Sequence, residues 1–266
     1  MSHFFLALAM TMLAGLSTLI GWLISILPVS GSKGGEGRRK KFLAFSLGLS
    51  AGVMVYISFM ELMPSALELI TPLYGDGSKA DDIIVALAFF GGIGLCALID
   101  RLVPSEENPH EIAHQKKLKK VGVATAIAIT IHNFPEGIAT FITSYQDSGL
   151  AFAIAAAIAI HNIPEGIAVS MPIYQATGSR KKAFSYTLIS GLAEPLGAVL
   201  AFSILLPFIS PMLLGCTYAA VSGIMVFISF DELLPAAHEY GEHHMSILGL
   251  VAGMAVMAFS LILLQQ

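Results

Sequence analysis

The sequence HNFPEGIA, residues 132–139, lies inside a long apolar stretch, and a near copy, HNIPEGIA, occupies residues 161–168. Histidine and glutamate are unfavourable in the hydrocarbon of a bilayer, so their presence in an apolar stretch marks a candidate functional site. Histidine, glutamate and asparagine also supply the nitrogen and oxygen donors that bind divalent cations. The repeated motif therefore predicts a metal site within a membrane-spanning region.

The composition of the chain places it among integral membrane proteins. Of its 266 residues, 56% are hydrophobic and 12% are charged, and the mean hydropathy is +0.79. Soluble domains carry about 25% charged residues. A transmembrane helix needs roughly 20 apolar residues, and such stretches lie near residues 4–27, 42–63, 83–103, 121–143, 150–172, 183–206, 212–235 and 245–264. We therefore predict an all-α integral membrane protein with eight transmembrane helices, numbered here as the first to eighth segments, in a single domain, residues 1–266.

The basic residues predict the orientation of these segments. All of the 14 Lys and Arg residues except Lys79 fall in or beside the first, third and fifth connections between segments. Because basic residues concentrate in cytoplasmic loops, these connections are expected to be cytoplasmic, including a polar loop over residues 104–120. Both termini are then extracytoplasmic, and the protein is expected to be a multi-pass protein of the bacterial cytoplasmic (inner) membrane.

A longer repeat indicates internal symmetry. Residues 52–66, GVMVYISFMELMPSA, match residues 223–237, GIMVFISFDELLPAA, at ten of fifteen positions. The two copies lie in the second and seventh segments, which cross the membrane in opposite directions, as the fourth and fifth segments also do. One twofold axis in the membrane plane explains both repeats, because it relates the first three segments to the last three and exchanges the central two. Such an inverted 3+2+3 repeat is typical of secondary transporters.

The spacing within each motif predicts how its donors meet. Residues three and four apart share a helix face, and the short connection between the fourth and fifth segments makes them antiparallel neighbours. The two motifs should therefore face each other near the middle of the membrane. The donors brought together in this way are His132, Asn133, Glu136, His161, Asn162 and Glu165, and Glu194 lies at the centre of the sixth segment.

Charge balance supports a bound cation. The interior of the segments holds six carboxylates and no Lys or Arg to pair with them: Glu61, Glu136, Glu165, Glu194, Asp231 and Glu232. A buried carboxylate must be paired, protonated or bound to a metal. A divalent cation between the carboxylates of the two motifs would remove their repulsion, and proton uptake would replace the cation when it leaves.

Three acidic residues lie nearer the ends of their segments. Glu61 is near the outer end of the second segment, and Asp231 and Glu232 are near the inner end of the seventh. Because the symmetry exchanges these positions, we interpret them as an outer and an inner vestibule, with a solvated surface as the alternative. The run from His238 to His244 is read equally as a site that receives exiting metal or as a plain hydrophilic loop.

At these motifs the chain resembles the ZIP (Zrt/Irt-like) family of divalent metal transporters, most closely its bacterial ZupT-type branch. The resemblance covers essentially the whole chain. It implies uptake of zinc, and in relatives also of iron, manganese or cobalt, through a binuclear centre. One metal site would use Glu136, His161 and Glu165, with His132 as a further candidate ligand. The second would use Asn133, Glu136, Asn162, Glu165 and Glu194. The family also suggests an elevator-like motion and homodimers.

The main alternative is an intramembrane metal-dependent hydrolase, with Glu136 or Glu165 as general base on a metal-bound water. The sequence has no HExxH pairing, and its two-helix symmetry favours alternating access. We therefore expect a transporter that is not an enzyme, needs no resident cofactor and has no nucleic-acid partner. Its partners are divalent ions, as substrate, and the lipid bilayer. The mixed ligands suit Zn²⁺, Fe²⁺, Mn²⁺ and Co²⁺ alike, and uniport, channel and proton-coupled mechanisms are all compatible with the sequence.

Overall fold

The computed structural model describes residues 2–27, 35–74, 79–102, 113–146, 151–205, 210–238 and 242–264. These residues are helical nearly throughout, and no strand occurs among them. The helices fall into eight consecutive segments, each overlapping one of the apolar stretches seen in the sequence.

The bounds of the eight segments are as follows. The first comprises α1 (Ser2–Leu16) and α2 (Thr18–Ile26), and the second comprises α3 (Gly35–Ile57), a π-helical turn (Ser58–Leu62), α4 (Met63–Ile70) and a 3₁₀ turn (Thr71–Leu73). The third to sixth are α5 (Ala80–Leu102), α6 (Ala113–Gln146), α7 (Ala151–Thr177) and α8 (Arg180–Leu200), the last continued by a π-helical turn (Ala201–Leu205). The seventh comprises α9 (Pro211–Phe227), a π-helical turn (Ile228–Leu233) and α10 (Leu234–His238), and the eighth is α11 (His243–Leu264).

Six of the described segments are long and apolar enough to cross a membrane. They are His3–Ile26, Lys40–Leu73, Ala80–Leu102, Arg180–Ile204, Pro211–His238 and His243–Leu263. The remaining two, α6 and α7, carry the polar motifs. The described part of the chain is thus that of a helical integral membrane protein.

Two predicted boundaries need correction. Helix α6 begins at Ala113, so the last eight residues of the predicted loop 104–120 are helical, and residues 103–112 lie outside the described part. Lysine has a good helix propensity, so a basic stretch can continue a helix beyond its apolar part. The second segment runs on to Ile70, past the predicted end at residue 63. Pro64 does not end it, because this proline lies in the first turn of α4, where no N–H is required.

The second and eighth segments pack closely through glycines. A Cβ atom added at Gly52 of α3 would lie 2.0 Å from the carbonyl oxygen of Leu250, and one added at Gly253 of α11 would lie 2.1 Å from that of Leu49. Any side chain at these positions would push the two backbones apart. Small residues allow this close approach of membrane helices, which favours association by van der Waals packing.

The third and seventh segments pack in the same way. A Cβ atom at Gly92 of α5 would lie 1.9 Å from the carbonyl oxygen of Ala220, and one at Gly223 of α9 would lie 2.0 Å from that of Phe89. In the sequence repeat the second segment corresponds to the seventh and the third to the eighth. The two glycine-packed pairs therefore occupy corresponding positions in the repeat.

The repeated sequence also produces the same local structure twice. Both copies of the ISFxEL sequence form a π-helical turn, in which the N–H of Met63 bonds to the carbonyl of Ser58 and that of Leu234 to Ser229. Single π-turns inserted in α-helices are frequent at functional sites. One of these turns contains Glu61 and the other contains Glu232, so the repeat carries its acidic residues on matching irregular turns.

The glycine packing predicts a sharp difference between two neighbouring positions of α5. Gly92→Ala should lower the free energy of unfolding by roughly 1–3 kcal/mol, because overpacking displaces a backbone that cannot yield. Gly94→Ala is the matched control, since a Cβ atom there meets nothing within 4 Å. The midpoint temperature of thermal unfolding in detergent, measured for each variant, should be lower for Gly92→Ala than for Gly94→Ala. Equal midpoints for the two variants would contradict the close packing of α5 on α9.

Candidate metal centre

The two motifs meet across the interface of α6 and α7. Nε2 of His161 lies 2.5 Å from Oε1 of Glu136. Nε2 of His132 lies 3.4 Å from Oε2 of Glu136 and 3.2 Å from Oε1 of Glu165. We call these four residues the His/Glu cluster. The structure thus brings together two imidazoles and two carboxylates that were predicted to face each other.

The His/Glu cluster is almost entirely removed from solvent. His132 is 2% exposed, His161 is 5% exposed and Glu165 is fully buried. Oε2 of Glu165 is buried and has no hydrogen-bond partner among the described residues. A buried polar atom without a partner is costly, and a carboxylate more so. A divalent cation held by the imidazole nitrogens and carboxylate oxygens would satisfy these atoms together, and this donor set suits Zn²⁺.

The two asparagines lie on a different side of the motif helices. Nδ2 of Asn162 donates to the carbonyl of Ala14 at 2.9 Å and to Oε1 of Glu194 at 2.5 Å. Nδ2 of Asn133 donates to the carbonyl of Ser190 at 3.2 Å, one helical turn before Glu194. We call Asn133, Asn162 and Glu194 the amide group.

The amide group presents oxygen acceptors. Oδ1 of Asn133, Oδ1 of Asn162 and Oε2 of Glu194 are all buried and lack hydrogen-bond partners in the described part of the chain. Because both amide nitrogens are already bonded, it is the oxygens that remain for a ligand. Amide and carboxylate oxygens are ligands for harder divalent cations. The seven residues predicted from the motifs and from the sixth segment therefore divide into a nitrogen-and-oxygen cluster and an oxygen-only group.

The motif glycines bring the neighbouring helices against this centre. A Cβ atom at Gly137 would lie 2.1 Å from the carbonyl oxygen of Glu194, and one at Gly166 would lie 1.9 Å from that of Thr18. Helix α6 can therefore contact α8 at the level of Glu194, and α7 can contact α2 in the corresponding way. A larger residue at either glycine would move these helices away from the motifs.

A cavity of about 190 Å³ leads to the His/Glu cluster. Its lining includes His132, Glu136 and His161 from the cluster, together with Glu61 and Tyr218. Glu61 was predicted to form an outer vestibule near a helix end, and its position at the end of the segment needs correction. Because the second segment continues to Ile70, Glu61 lies in its interior and lines the same cavity as the cluster. Tyr218 was not identified from the sequence, and its spacing carries no signal of this role.

A second acidic group lies near the C-terminal end of the seventh segment. The earlier part of that segment lines the cavity through Tyr218 and Val221. Ligand oxygens of Asp100, Asp231 and Glu232 all lie within 4.8 Å of one another. Nζ of Lys120 lies 2.8 Å from Oδ1 of Asp100. The sequence interpretation missed Asp100 and Lys120, which add a third carboxylate and an ion pair to Asp231 and Glu232. Asp100 and Lys120 lie at the two ends of the predicted connection between the third and fourth segments. Their opposite charges at these positions were the signal in the sequence that the two residues could pair.

The two ends of the centre are packed differently. Oγ of Ser50 donates to the carbonyl of Pro164 at 2.8 Å, and Ser50 is fully buried. Continuing the sequence repeat by two residues makes Val221 the counterpart of Ser50, and Val221 lines the cavity together with Pro135. The chain thus has a cavity on the Val221 side and a closed, hydrogen-bonded contact on the Ser50 side.

Comparison with known proteins gives consistent results. Residues 104–261 match the family described as ZIP Zinc transporter. The chain is 55% identical to a zinc transporter ZupT of Streptococcus mutans, with 98% of each chain covered. It is 53% identical to a zinc transporter ZupT of Corynebacterium aurimucosum, over 97% of this chain and 96% of the relative. A zinc transporter ZupT of Chlorobium phaeovibrioides is 51% identical, over 99% of this chain and the whole of the relative.

Proposed function

The chain belongs to the ZIP family of zinc transporters, and we propose that it takes up divalent cations through the His/Glu cluster. The resemblance seen in the sequence is confirmed by these relatives, which are transporters and not enzymes. The alternative of an intramembrane hydrolase is therefore not favoured. The transported ion is the substrate of the site and not a resident cofactor.

One observation carries the assignment of the transport site. Glu136 and Glu165 project from different helices into one buried cluster with His132 and His161. Two carboxylates and two imidazoles match the charge and the donor preferences of a divalent cation. An ion that has lost its hydration shell would find replacement ligands here, in a buried part of the protein that water does not reach freely.

The amide group supports a second ion beside the first. Its unpartnered oxygens belong to Asn133, Asn162 and Glu194, and the same helices carry the His/Glu cluster. We infer a binuclear centre in which Glu136 and Glu165 also contribute to the second ion. The mixture of nitrogen and oxygen donors suits Fe²⁺, Mn²⁺ and Co²⁺ as well as Zn²⁺, so we include these ions among the substrates.

The path of the ion follows the symmetry of the fold. We propose eight spans in an inverted repeat, with both termini outside the cytoplasmic membrane, and the corresponding positions of the two glycine-packed pairs support this arrangement. Glu61 then attracts cations into the outer cavity, and Asp231 and Glu232, joined by Asp100, receive them on the cytoplasmic side. A negative-inside potential favours inward movement of a divalent ion by roughly 4.6 kcal/mol per 100 mV.

The difference between the two sides of the centre indicates the state of the transporter. In the proposed topology the cavity at Val221 opens to the outside, and the hydrogen bond between Ser50 and Pro164 lies on the cytoplasmic side and closes it; the cavity lining and this bond support that assignment. Alternating access requires the reverse arrangement as well. In that state the hydrogen bond at Ser50 would break to open the cytoplasmic side, and the cavity at Val221 would close.

Neutralising the motif carboxylates should abolish transport. Glu136→Gln and Glu165→Gln keep the size of the side chain but remove a negative charge from the buried cluster, and each should reduce zinc uptake at least about tenfold, equivalent to roughly 1.4 kcal/mol. Uptake of radioactive Zn²⁺ into proteoliposomes measures this, with Glu68→Gln at an exposed position as the matched control. Near wild-type uptake by both cluster variants would remove the His/Glu cluster from the transport path.

The proposed topology predicts which side of the membrane reaches each acidic group. In a background with Cys96 and Cys216 replaced by alanine, Glu61→Cys should react with an impermeant maleimide from outside only. Asp231→Cys, at an exposed position, should react from the cytoplasmic side only. His3→Cys marks the outer face, and Zn²⁺ should protect the cysteine at position 61. Labelling of positions 61 and 231 from the same side would contradict both the topology and the inverted repeat.

A further inference from the structure

Three histidines gather where the seventh and eighth segments meet. Helix α10 ends at His238 and α11 begins at His243, and the centroids of these two imidazole rings are 4.7 Å apart with an interplanar angle of 54°. The ring of His244 lies 5.7 Å from that of His243. All three side chains are exposed to solvent. The proposed transport centre uses none of them.

The ends of the two helices are held in place by packing. Ala237, next to His238, and Ser246, one turn after His243, are both fully buried. Oγ of Ser246 donates to the carbonyl of His243 at 2.9 Å. Further along α11, a Cβ atom at Gly249 would lie 2.2 Å from the carbonyl oxygen of Phe45, so the helix is tightly packed on α3. The packing of α10 and α11 therefore places the backbones of His238 and His243 close to each other.

Along the seventh segment, the cavity-lining residues come first, the second acidic group follows, and a histidine ends the segment. Val221 lines the cavity, Glu232 belongs to the second acidic group, and His238 ends the segment. His238 lies six residues beyond Glu232, or roughly 9 Å at the rise of an α-helix. The imidazole pair thus lies just past the acidic group, at the end of the molecule away from the cavity.

We propose that His238 and His243 form a binding site for the transported divalent cation at the cytoplasmic mouth of the path. Imidazole nitrogen is a preferred ligand of zinc and of its neighbours in the first transition row. A structural zinc site has four protein ligands, whereas this pair supplies two and leaves the other positions to water. Such a site would hold the ion weakly and release it readily. The inference rests on the proposed function, because it assumes that the ion leaves by the Glu232 end.

Chemical modification of the histidines tests the site directly in the full-length wild-type protein. Diethyl pyrocarbonate should modify His238 and His243 in detergent-solubilised protein, and Zn²⁺ raised well above the concentration that half-saturates uptake, until protection reaches a plateau, should slow both reactions several-fold. The exposed His3 should react equally with and without zinc, and Mg²⁺ should protect none of them. Peptide mass spectrometry measures each position separately. Equal modification of His238 with and without Zn²⁺ would overturn the proposal.

Variants test whether the two imidazoles act together. His243→Gln should abolish the protection of His238 by zinc, whereas His3→Gln should leave it intact. Persistent protection in His243→Gln would overturn a paired site. In proteoliposomes that expose the cytoplasmic face to the lumen, the double variant His238→Gln/His243→Gln should lower maximal zinc uptake at least twofold without changing the half-saturating concentration. Unchanged maximal uptake would remove the pair from the transport path.

The failure of this proposal is distinguishable from failure of the transport site. Glu136→Gln should lose uptake but keep zinc protection of His238, because the imidazole pair meets the solvent independently of the centre. Loss of uptake in Glu136→Gln without any zinc protection of His238 in the wild type would overturn only the histidine site. Zinc protection of His238 together with full uptake in Glu136→Gln and Glu165→Gln would overturn only the proposed transport centre.

Discussion

Two facing carboxylates, Glu136 and Glu165, are largely buried at the centre of the molecule, and the residues around them must compensate their charges. Neither charge is stable in an apolar interior without compensation. Each has a histidine beside it, His161 for Glu136 and His132 for both carboxylates, and these imidazoles compensate fully only when protonated. A divalent cation provides the same compensation through coordination. The protein thus has a centre whose electrostatic balance requires either protons or a metal ion, which is the property that a reversible carrier needs.

The surrounding fold holds this centre between two kinds of helix packing. The second and eighth segments, and likewise the third and seventh, approach each other through glycines such as Gly52 and Gly92. The motif helices instead use Gly137 and Gly166 to contact the sixth and first segments. The glycine-packed segments also meet the motif helices near the centre. On one side Ser50 donates a hydrogen bond to the carbonyl of Pro164, and on the other side a cavity separates Val221 from Pro135. Movement of one set past the other would exchange these two environments.

The sequence predicted the helical segments and the meeting of the motifs because both depend on local periodicity and on one short connection. It placed Glu61 too far from the centre, because the length of the second segment depends on a π-turn that accommodates Pro64. It missed Asp100 and Lys120 because their pairing joins the ends of two segments across an intervening connection. The sequence also did not predict that His132 and His161 would lie in one group of ligands and Asn133 and Asn162 in another. That division depends on which neighbouring helix each side chain faces.

Anomalous X-ray scattering at the zinc absorption edge, from crystals of the protein loaded with Zn²⁺, would locate the ions bound at the motifs. We expect one strong peak within bonding distance, about 2.0–2.2 Å, of atoms from His161, Glu136 and Glu165. A second peak should lie beside the oxygens of Asn162 and Glu194. Zinc bound only outside the membrane-embedded motifs, with no peak between Glu136 and Glu165, would rule out the motifs as the transport site.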